Sequence, residues 1–287
     1  MKPPPFEYYA ASSIDDAIAA LSRFGEDARV LAGGQSLVPL MNFRMARPSG
    51  LVDLNRCAEL DYLLCEGDEL VCGSMTRQTV AERSSVIAET CPLIMQALVF
   101  AGSPAIRNRG TVGGVMAHGD RVAELPGVAV ALGARFVVRG PSGDRTIDAD
   151  AFFLGDLTTA IEPGEILREI RFPRIAASAR TAFVEAGNRA LDLALCGIAC
   201  VLERAADGEI AHLRMVAIGI AERPIRLVIA EAALMGHQFD TPRLREAVYA
   251  DIEHIDIVDD LHATAAHRRR LLPALAHEAI RRAAESA

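Results

Sequence analysis

The spacing of apolar residues predicts the elements of the first part of the chain. Residues 14–21 carry apolar side chains at the spacing of one helix face, and Ser12 or Ser13 stands where an N-cap is expected. Short apolar strands are predicted at 6–8, 28–31 and 51–54, with a glycine loop after the second of them. The pattern therefore predicts a β-α-β-loop-β unit over residues 1–57.

A second unit is predicted from about residue 58 to residue 177. Turn residues at 65–68 and 140–144 separate short apolar runs, which is typical of hairpins. Strands are predicted at 62–64, 70–72, 136–139, 145–147 and 165–172, and helices at 76–89, 93–102 and 123–132. Residues 1–177 are expected to form one domain with two subdomains.

The last part of the chain has a different order of elements. A linker is predicted at 174–180, and residues 178–287 form a C-terminal domain. Strands are predicted at 181–186, 193–203 and 210–220, and helices at 225–234, 241–253 and 262–284. Strands followed by helices, without alternation, predict an α+β fold.

Composition and charge exclude several classes of protein. The chain has 287 residues, 51% hydrophobic, with a formal net charge of -8. This composition excludes a disordered chain. The negative net charge is unlike the basic surface with which proteins bind nucleic acid. No apolar run reaches the roughly 18 residues of a membrane span. The first residues lack the apolar core of a signal peptide, so we expect a cytoplasmic protein.

The six cysteines show no Cys-x-x-Cys spacing. Zinc and iron–sulfur sites need clustered thiolates, so we expect neither on this chain. Most of the thiols are expected in the core, where cysteine behaves as a small hydrophobe. No nucleophile–base pair carries motif support, and we assign no catalytic residue.

Two glycine-rich segments follow apolar runs, at residues 31–37 and 108–114. Paired glycines let backbone N–H groups converge on an anion, and Ser36 and Thr111 could add hydroxyl donors to phosphate oxygens. Each segment alone is also compatible with a simple tight turn. Neither contains Gly-Lys-Ser/Thr or Gly-x-Gly-x-x-Gly, which disfavours a P-loop and an ordinary Rossmann fold. Binding of a nucleotide diphosphate, held from two sides, stays open beside the interpretation of each segment as a tight turn.

Four segments resemble one family, the FAD-binding medium subunits of molybdenum hydroxylases, relatives of xanthine oxidase and carbon monoxide dehydrogenase. They are residues 31–54 (LAGGQSLVPLMNFRMARPSGLVDL), 106–126 (IRNRGTVGGVMAHGDRVAELP), 183–199 (FVEAGNRALDLALCGIA) and 223–236 (RPIRLVIAEAALMG). The resemblance implies a PCMH-type FAD-binding domain of two α/β subdomains. A C-terminal three-stranded antiparallel sheet with a helical bundle would follow it.

The resemblance also implies which residues contact FAD. The diphosphate would lie between two sets, Ala32, Gly33, Gly34, Gln35, Ser36 and Leu37 on one side and Gly110, Thr111, Gly113 and Gly114 on the other. His118 would lie near the phosphates and Glu124 at the adenosine ribose. The backbone of Ile161 would meet the adenine, and Asp192 and Leu193 would face the flavin ring.

Several positions depart from the family pattern. Val115 replaces the usual Asn or Ser, Glu124 replaces Asp, and Leu193 stands where some relatives have an aromatic residue. Arg121 replaces a common Pro, and we expect its charge to lean toward phosphate or solvent. The run 268–270 (RRR) is expected on a solvated helix face or at a subunit contact.

The resemblance implies an electron-transfer subunit. FAD on this chain would take electrons from [2Fe-2S] clusters on a small partner, which receive them from the molybdenum cofactor of a large partner. It would then pass them to an external acceptor, in a complex expected to be a dimer of heterotrimers. One alternative is a non-catalytic assembly or maturation subunit with weak or lost FAD binding, which a flavin assay would separate. Another is a stand-alone flavin oxidoreductase, which activity without partners would indicate.

Overall fold

A computed structural model describes residues 2–189 and 191–285. Its first unit is a three-stranded parallel sheet in the order β1-β3-β2. The elements are β1 (Glu7–Ala10), α1 (Ile14–Phe24), β2 (Arg29–Leu31), α2 (Leu37–Asn42) and β3 (Gly50–Asp53). Ser13 caps α1, since its side chain accepts a hydrogen bond from the N–H of Asp16. Helix α2 was not predicted, because six residues are too few to display a helical stripe.

The second unit is built around a five-stranded antiparallel sheet in the order β4-β5-β10-β6-β7. The strands of the sheet are β4 (Leu63–Glu66), β5 (Glu69–Gly73), β6 (Arg135–Gly140), β7 (Gly143–Asp148) and β10 (Ile166–Pro173). Two further short strands of this unit, β8 (Phe153–Gly155) and β9 (Thr158–Thr159), pair with each other. Its helices are α3 (Gln78–Glu82), α4 (Ser85–Thr90), α5 (Pro92–Leu98), α6 (Pro104–Arg109), α7 (Val112–His118), α8 (Glu124–Leu132) and α9 (Ala149–Phe152). Both predicted hairpins are present.

The helices of this unit are shorter and more numerous than the sequence predicts. The helix expected at 76–89 is two helices, α3 and α4, because Ser84 caps a new start by accepting from the N–H of Ile87. Ser103 with Pro104 starts α6, and Thr111 caps α7. Of the glycine segment 108–114, residues 108 and 109 therefore end α6, and residues 112–114 form the first turn of α7.

The C-terminal unit packs a sheet against helices. It contains β11 (Arg180–Gly187), β12 (Ala194–Arg204), β13 (Ile210–Ile218), β14 (Ile225–Arg226), α10 (Val228–Leu234), α11 (Thr241–Glu253) and α12 (Ala265–Glu285). The three predicted strands are present, and β14 adds a short fourth strand paired with β13. The helix predicted at 225–234 therefore begins later, at Val228.

The sheet of the C-terminal unit is covered on both faces. Ala182 and Val184 belong to the core shared with the C-terminal helices, whereas Phe183 joins the core of the second unit. Phe183 lies 5.6 Å from Phe100, between ring centroids. Helix α8 crosses this same face, and Gly127 approaches Ile218 so closely that a Cβ would overlap it. The junction between the units is thus a packed apolar interface with polar groups at its edge.

Candidate functional site

The structure brings the two glycine segments into direct contact. A Cβ added to Gly33 would clash with the carbonyl oxygen of Arg109 and lie 2.8 Å from the Cα of Gly110. A Cβ added to Gly114 would lie 3.5 Å from the Cβ of Ala32. Segments separated by some seventy positions therefore form one wall, as expected for a site built from both.

The first segment offers unused hydrogen-bond donors. Within the described residues, the backbone N–H groups of residues 33–36 have no acceptor. Gly34 has φ +75, a left-handed conformation that favours glycine and turns the chain back on itself. Ser36 precedes α2 without making a side-chain capping bond. Successive free N–H groups around such a turn form a concave anion-binding nest.

Most backbone N–H groups of the second segment already donate within the chain. The N–H of Gly113 donates to the carbonyl of Ser74 at 2.9 Å, and that of Gly114 donates to Oγ1 of Thr111 at 2.9 Å. The N–H of Gly110 donates to the carbonyl of Ile106 at 2.7 Å. Thr111 is 2% exposed, and its hydroxyl oxygen serves as the α7 cap. We therefore infer that the second segment supports the nest more than it donates to it.

A cavity of about 380 Å³ lies beside the first segment. It sits where the parallel strands β2 and β3 end, the edge at which open α/β sheets bind ligands. Its lining is Leu31, Ala32, Gly33, Gly34, Gln35, Val38, Pro39, Asn42, Asp53, Asn55 and Arg109. Of these, only Ala32, Gly33, Gly34 and Gln35 were predicted from the sequence to contact FAD. Asp53 and Asn55 could have been found from their position just after a parallel strand.

Asn55 and Arg77 clasp the two segments together. The Asn55 side-chain amide donates to the carbonyl of Ala32 at 2.9 Å, and its Oδ1 accepts from Arg77. Arg77 also donates to the carbonyl of Arg109. Burial, and next the charge of Arg109, lower the pKa of Arg77 from its ordinary value. The clasp orders both walls of the cavity before any ligand arrives.

The cavity is set up for an anion. Arg109 is the cation among the described residues that line it, and its side chain is exposed. The lining carboxylate is Asp53, which accepts from the Tyr8 hydroxyl at 2.6 Å and from the backbone N–H of Asn55 at 2.8 Å. Asp53 is therefore occupied within the chain, and Arg109 lines the cavity together with Gly33, Gly34 and Gln35.

The remaining predicted residues lie outside this lining, nearer the junction of the units. His118 ends α7 and Glu124 begins α8, both half-buried. Burial lowers the pKa of His118, and burial raises the pKa of Glu124 to about 7. Ile161 packs at the edge of the second unit's core.

Asp192 and Leu193 lie in the turn between β11 and β12. The side chain of Asp192 accepts from the N–H of Leu193 at 3.0 Å, and Leu193 is 51% exposed. Leu191 beside them has φ 62, a left-handed conformation unusual for leucine. The turn therefore exposes the apolar side chain of Leu193 to solvent.

The structure corrects the prediction for Arg121. Its side chain is only 15% exposed and does not lean toward solvent, because it pairs with Asp260 at 2.5 Å and with Asp156 at 3.4 Å. Its backbone carbonyl accepts from the N–H of Gly219 at 2.9 Å. Arg121 therefore joins the second unit to the C-terminal unit.

The structure also corrects the prediction for residues 268–270. Arg268 is 0% exposed, and its guanidinium donates to the carbonyls of Leu195, Val258 and Ala263 and to Asp260. Burial alone would raise the pKa of Asp260, but bonds from Arg121, the N–H of Ala263 and Arg268 hold that pKa far below its ordinary value. Arg269 and Arg270 are exposed, as expected for a solvated face.

The cysteines are mostly core residues, as predicted. Cys57, Cys72, Cys91, Cys196 and Cys200 are buried, and Cys65 is exposed. Over residues 2–189 and 191–285 no group of three or more His, Cys, Asp or Glu side chains is placed to hold a metal ion. The same described ranges contain no helix with both the length and the apolar character needed to cross a membrane.

Comparison with known proteins gives matches over nearly the whole chain. Residues 4–175 match the FAD binding domain in molybdopterin dehydrogenase, and residues 181–283 match the CO dehydrogenase flavoprotein C-terminal domain. The chain is 35% identical over 287 residues to the carbon monoxide dehydrogenase medium chain of Hydrogenophaga pseudoflava, covering 100% of this chain and 98% of that one. It is 36% identical over 286 residues to caffeine dehydrogenase subunit beta of a Pseudomonas species, covering 99% and 97%.

A solved structure has the same fold. Quinoline 2-oxidoreductase from Pseudomonas putida 86 contains a chain that is 32% identical, with a TM-score of 0.94, covering 99% of each chain. The resemblance stated from the sequence, and the fold that it implies, are therefore confirmed. The chain belongs to the FAD-binding flavoprotein family of the molybdopterin dehydrogenases, whose members are subunits of oxidoreductases.

Proposed function

We propose that this chain is the FAD-carrying electron-transfer subunit of a multi-subunit molybdenum hydroxylase. It takes electrons from iron–sulfur clusters on a partner and passes them to an external acceptor. The observation that carries the proposal is the nest of free N–H groups at residues 33–36, which faces a cavity together with Arg109. This arrangement suits the diphosphate of FAD, and it occurs in a chain that belongs to a flavoprotein family.

Different segments of the chain hold different parts of FAD. Residues 32–37 and Arg109 bind the diphosphate, and residues 110–114 form the opposite wall. His118 lies toward the phosphates, Glu124 accepts from the adenosine ribose, and the backbone of Ile161 meets the adenine. Asp192 and Leu193 face the flavin ring, where exposed Leu193 supplies an apolar surface for an aromatic ring system.

The protein's task is to orient the cofactor and exclude other reactions. When bound, FAD supplies the electron-transfer chemistry itself. Residues 1–177, in two subdomains about 1–57 and 58–177, form the binding domain, and residues 178–287 close the cleft from the other side. The ion pair between Arg121 and Asp260 stabilises the closed arrangement of the two.

The partners follow from the same family. A large subunit carries the molybdenum cofactor, and a small subunit carries the [2Fe-2S] clusters; relatives named for molybdenum-containing carbon monoxide dehydrogenase support this assignment. We propose a dimer of such heterotrimers in the cytoplasm.

The substrate is selected by the large partner and not by this chain. Relatives named for carbon monoxide, caffeine and quinoline are 35%, 36% and 32% identical to it, and two of these substrates are heterocycles while the third is a diatomic gas. A chain that contacted substrate would be expected to diverge more between such different molecules. Similar identity to all three supports a role common to all of them.

Electron transfer can be tested on the purified complex by removing and restoring the flavin. The complex is reduced through its iron–sulfur clusters before and after FAD is released, and the flavin absorption band is followed. We expect the flavin to bleach as the clusters reoxidise, and the deflavo complex to stay assembled while losing transfer to the acceptor. An assembly subunit would instead leave transfer unaffected by flavin removal, which would reject the proposal.

Replacing Arg109 by alanine tests the nest directly. The variant keeps the backbone that packs on Gly33 and loses the cation, so we expect weaker FAD binding with an unchanged melting temperature. A charge-assisted hydrogen bond contributes about 1.5–3 kcal/mol, so the Kd should rise roughly 10- to 150-fold. Arg56→Ala is the matched control, because Arg56 is an exposed neighbour that does not line the cavity. Equal effects of the two variants would remove Arg109 from the diphosphate.

A further inference from the structure

Helix α2 is apolar, yet the core covers little of it. Apart from Asn42 it consists of apolar residues (LVPLMN), and Met41 is its only buried residue. The turn that follows exposes two larger apolar side chains, Phe43 at 65% and Met45 at 76%. Single exposed apolar residues are common on protein surfaces, whereas a continuous group of them marks an interaction site.

The turn after α2 has a fixed backbone. The N–H groups of Met45 and Ala46 both donate to the carbonyl of Leu40, at 2.9 and 3.3 Å. Arg44, just before them, has φ 60, a left-handed conformation that is uncommon for a residue with a Cβ. Backbone held in such a conformation is found preferentially at functional sites. The exposed turn is therefore a built feature of the surface.

The cavity assigned to FAD does not account for the two exposed side chains. Val38, Pro39 and Asn42 of α2 line that cavity, whereas Phe43 and Met45 are not part of its lining. The exposed turn therefore begins at the rim of the FAD site and continues beyond it. A partner other than the cofactor is needed to cover it.

The charge of this region is opposite to that of the whole chain. The formal net charge is -8, but residues 28–52 contain no Asp or Glu and carry Arg29, Arg44 and Arg47. Arg44 and Arg47 are exposed, and neither pairs with a carboxylate of the described residues. The Nε of Arg47 instead donates to the carbonyl of Arg44 at 3.2 Å. The exposed apolar turn is thus accompanied by two guanidinium groups that are free to meet an acidic partner.

We propose that Phe43, Arg44, Met45 and Arg47, here called the α2 surface, dock the iron–sulfur subunit through a patch with carboxylates around an apolar centre. The inference rests on the proposed function, which requires an electron donor for FAD. Electron transfer slows steeply as the distance between the two centres grows, so the donor must dock beside the FAD site. The α2 surface borders that site.

The charges distinguish this partner from a second copy of the chain. Two α2 surfaces facing each other across a two-fold axis would bring four guanidinium groups together, and like charges at an interface are unfavourable. Carboxylates on the iron–sulfur subunit would instead pair with Arg44 and Arg47 and steer its approach. Phe43 and Met45 would form the apolar centre of the contact, which suits the enrichment of Phe and Met at interface cores.

Photo-crosslinking in the assembled complex identifies the occupant. p-Benzoylphenylalanine replaces Met45, which is 76% exposed and lies outside the FAD cavity, so the variant should fold and keep its FAD. We expect irradiation to link this chain to the iron–sulfur subunit. The same group at Val228, 53% exposed at the start of α10, is the control and should give none of that product. A link to the molybdenum-carrying subunit or to a second copy, or no link at all, would overturn the proposal.

Reversing two charges tests the arginines. Arg44→Glu combined with Arg47→Glu is compared with Arg83→Glu combined with Arg204→Glu, a pair of exposed arginines elsewhere that form no ion pair among the described residues. On dilution of the complex at about 0.05 M salt, we expect the first variant to lose the iron–sulfur subunit at roughly tenfold higher concentration than wild type. The difference should shrink at about 0.5 M salt, and the control should behave as wild type. Dissociation of the first variant at the wild-type concentration would reject the α2 surface.

Removing the apolar centre should give a loss that salt does not relieve. Phe43→Ser combined with Met45→Ser changes only exposed side chains, so the melting temperature should stay unchanged. We expect this variant to dissociate from the iron–sulfur subunit more readily at both salt concentrations, because burial of apolar surface is not screened by ions. Wild-type dissociation of this variant would show that the turn stays in solvent and would contradict the proposal.

Flavin content separates failure of this inference from failure of the proposed function. Acid release is applied to the same preparations of wild type and variants. Full FAD in a complex whose dissociation is unchanged by the substitutions would reject the α2 surface alone. A wild-type complex without FAD would instead overturn the proposed function.

Discussion

Replacing Gly33 by alanine is expected to abolish FAD retention. The added Cβ would overlap the carbonyl oxygen of Arg109 and lie 2.8 Å from the Cα of Gly110, so backbone would meet backbone. Neither wall can yield by rotating a side chain, and the two segments must separate. Overpacking of this kind costs typically about 1–3 kcal/mol in stability, and the nest loses its opposite wall. We expect at least a hundredfold weaker FAD binding together with a lower melting temperature.

Flavin released by acid from purified wild-type and variant complexes measures this effect. Gly155→Ala is the control, because a Cβ there would meet only ordinary contacts at 3.7 Å or more. The control should keep its FAD and its melting temperature. Full flavin occupancy in Gly33→Ala would mean that the tight approach of the two segments does not form the cofactor site.

Replacing Arg268 by methionine is expected to produce the largest loss of stability. Methionine fills the apolar path of the side chain but removes the guanidinium donors that three backbone carbonyls and Asp260 share. Breaking a buried ion pair from one side costs about 3–5 kcal/mol. Since Asp260 also binds Arg121, the connection between the two halves of the chain should weaken as well.

Chemical denaturation of the Arg268→Met and Arg269→Met variants separates the loss of the buried network from a general effect of charge. Arg269→Met removes the same charge from an exposed position, and surface substitutions usually stay within about 0.5 kcal/mol. We expect the free energy of unfolding to fall by several kcal/mol in Arg268→Met and to be nearly unchanged in Arg269→Met. Equal losses would contradict the buried network.

Local patterns predicted most of the strands and the longer helices of this fold. The stripe at 14–21, the two hairpins and the long C-terminal strands all appear where the periodicity placed them. Helices α2, α6 and α7 were missed because none is longer than seven residues, too short to show a periodic face. Glycines in α7 also hid a helix that Thr111 starts.

Long-range partners could not be read from the sequence. Arg121 and Asp260 are separated by 139 positions, and no local pattern connects them. Arg268 is likewise held by the carbonyl of Leu195, 73 positions away, as well as by the nearer carbonyls of Val258 and Ala263. The free N–H groups of the first glycine segment are likewise a property of the folded chain, although the segment itself was found from its glycines.

The unusual position of Glu185 was within reach of the sequence. The predicted strand at 181–186 alternates between two covered faces, and Glu185 follows Phe183 on one of them. A glutamate on a covered face of a strand is rare enough to question. The strand was predicted as apolar, and Glu185, whose Oε2 is buried without a hydrogen-bond partner among the described residues, was overlooked.

The most direct test of the account is the flavin content of this chain purified under native conditions with the partners that accompany it. Acid release followed by identification of the flavin gives the identity and the stoichiometry in one measurement. We predict one FAD per chain, together with iron–sulfur absorbance from a partner. A colourless chain that stays without FAD after the cofactor is added would contradict the account and would favour an assembly subunit.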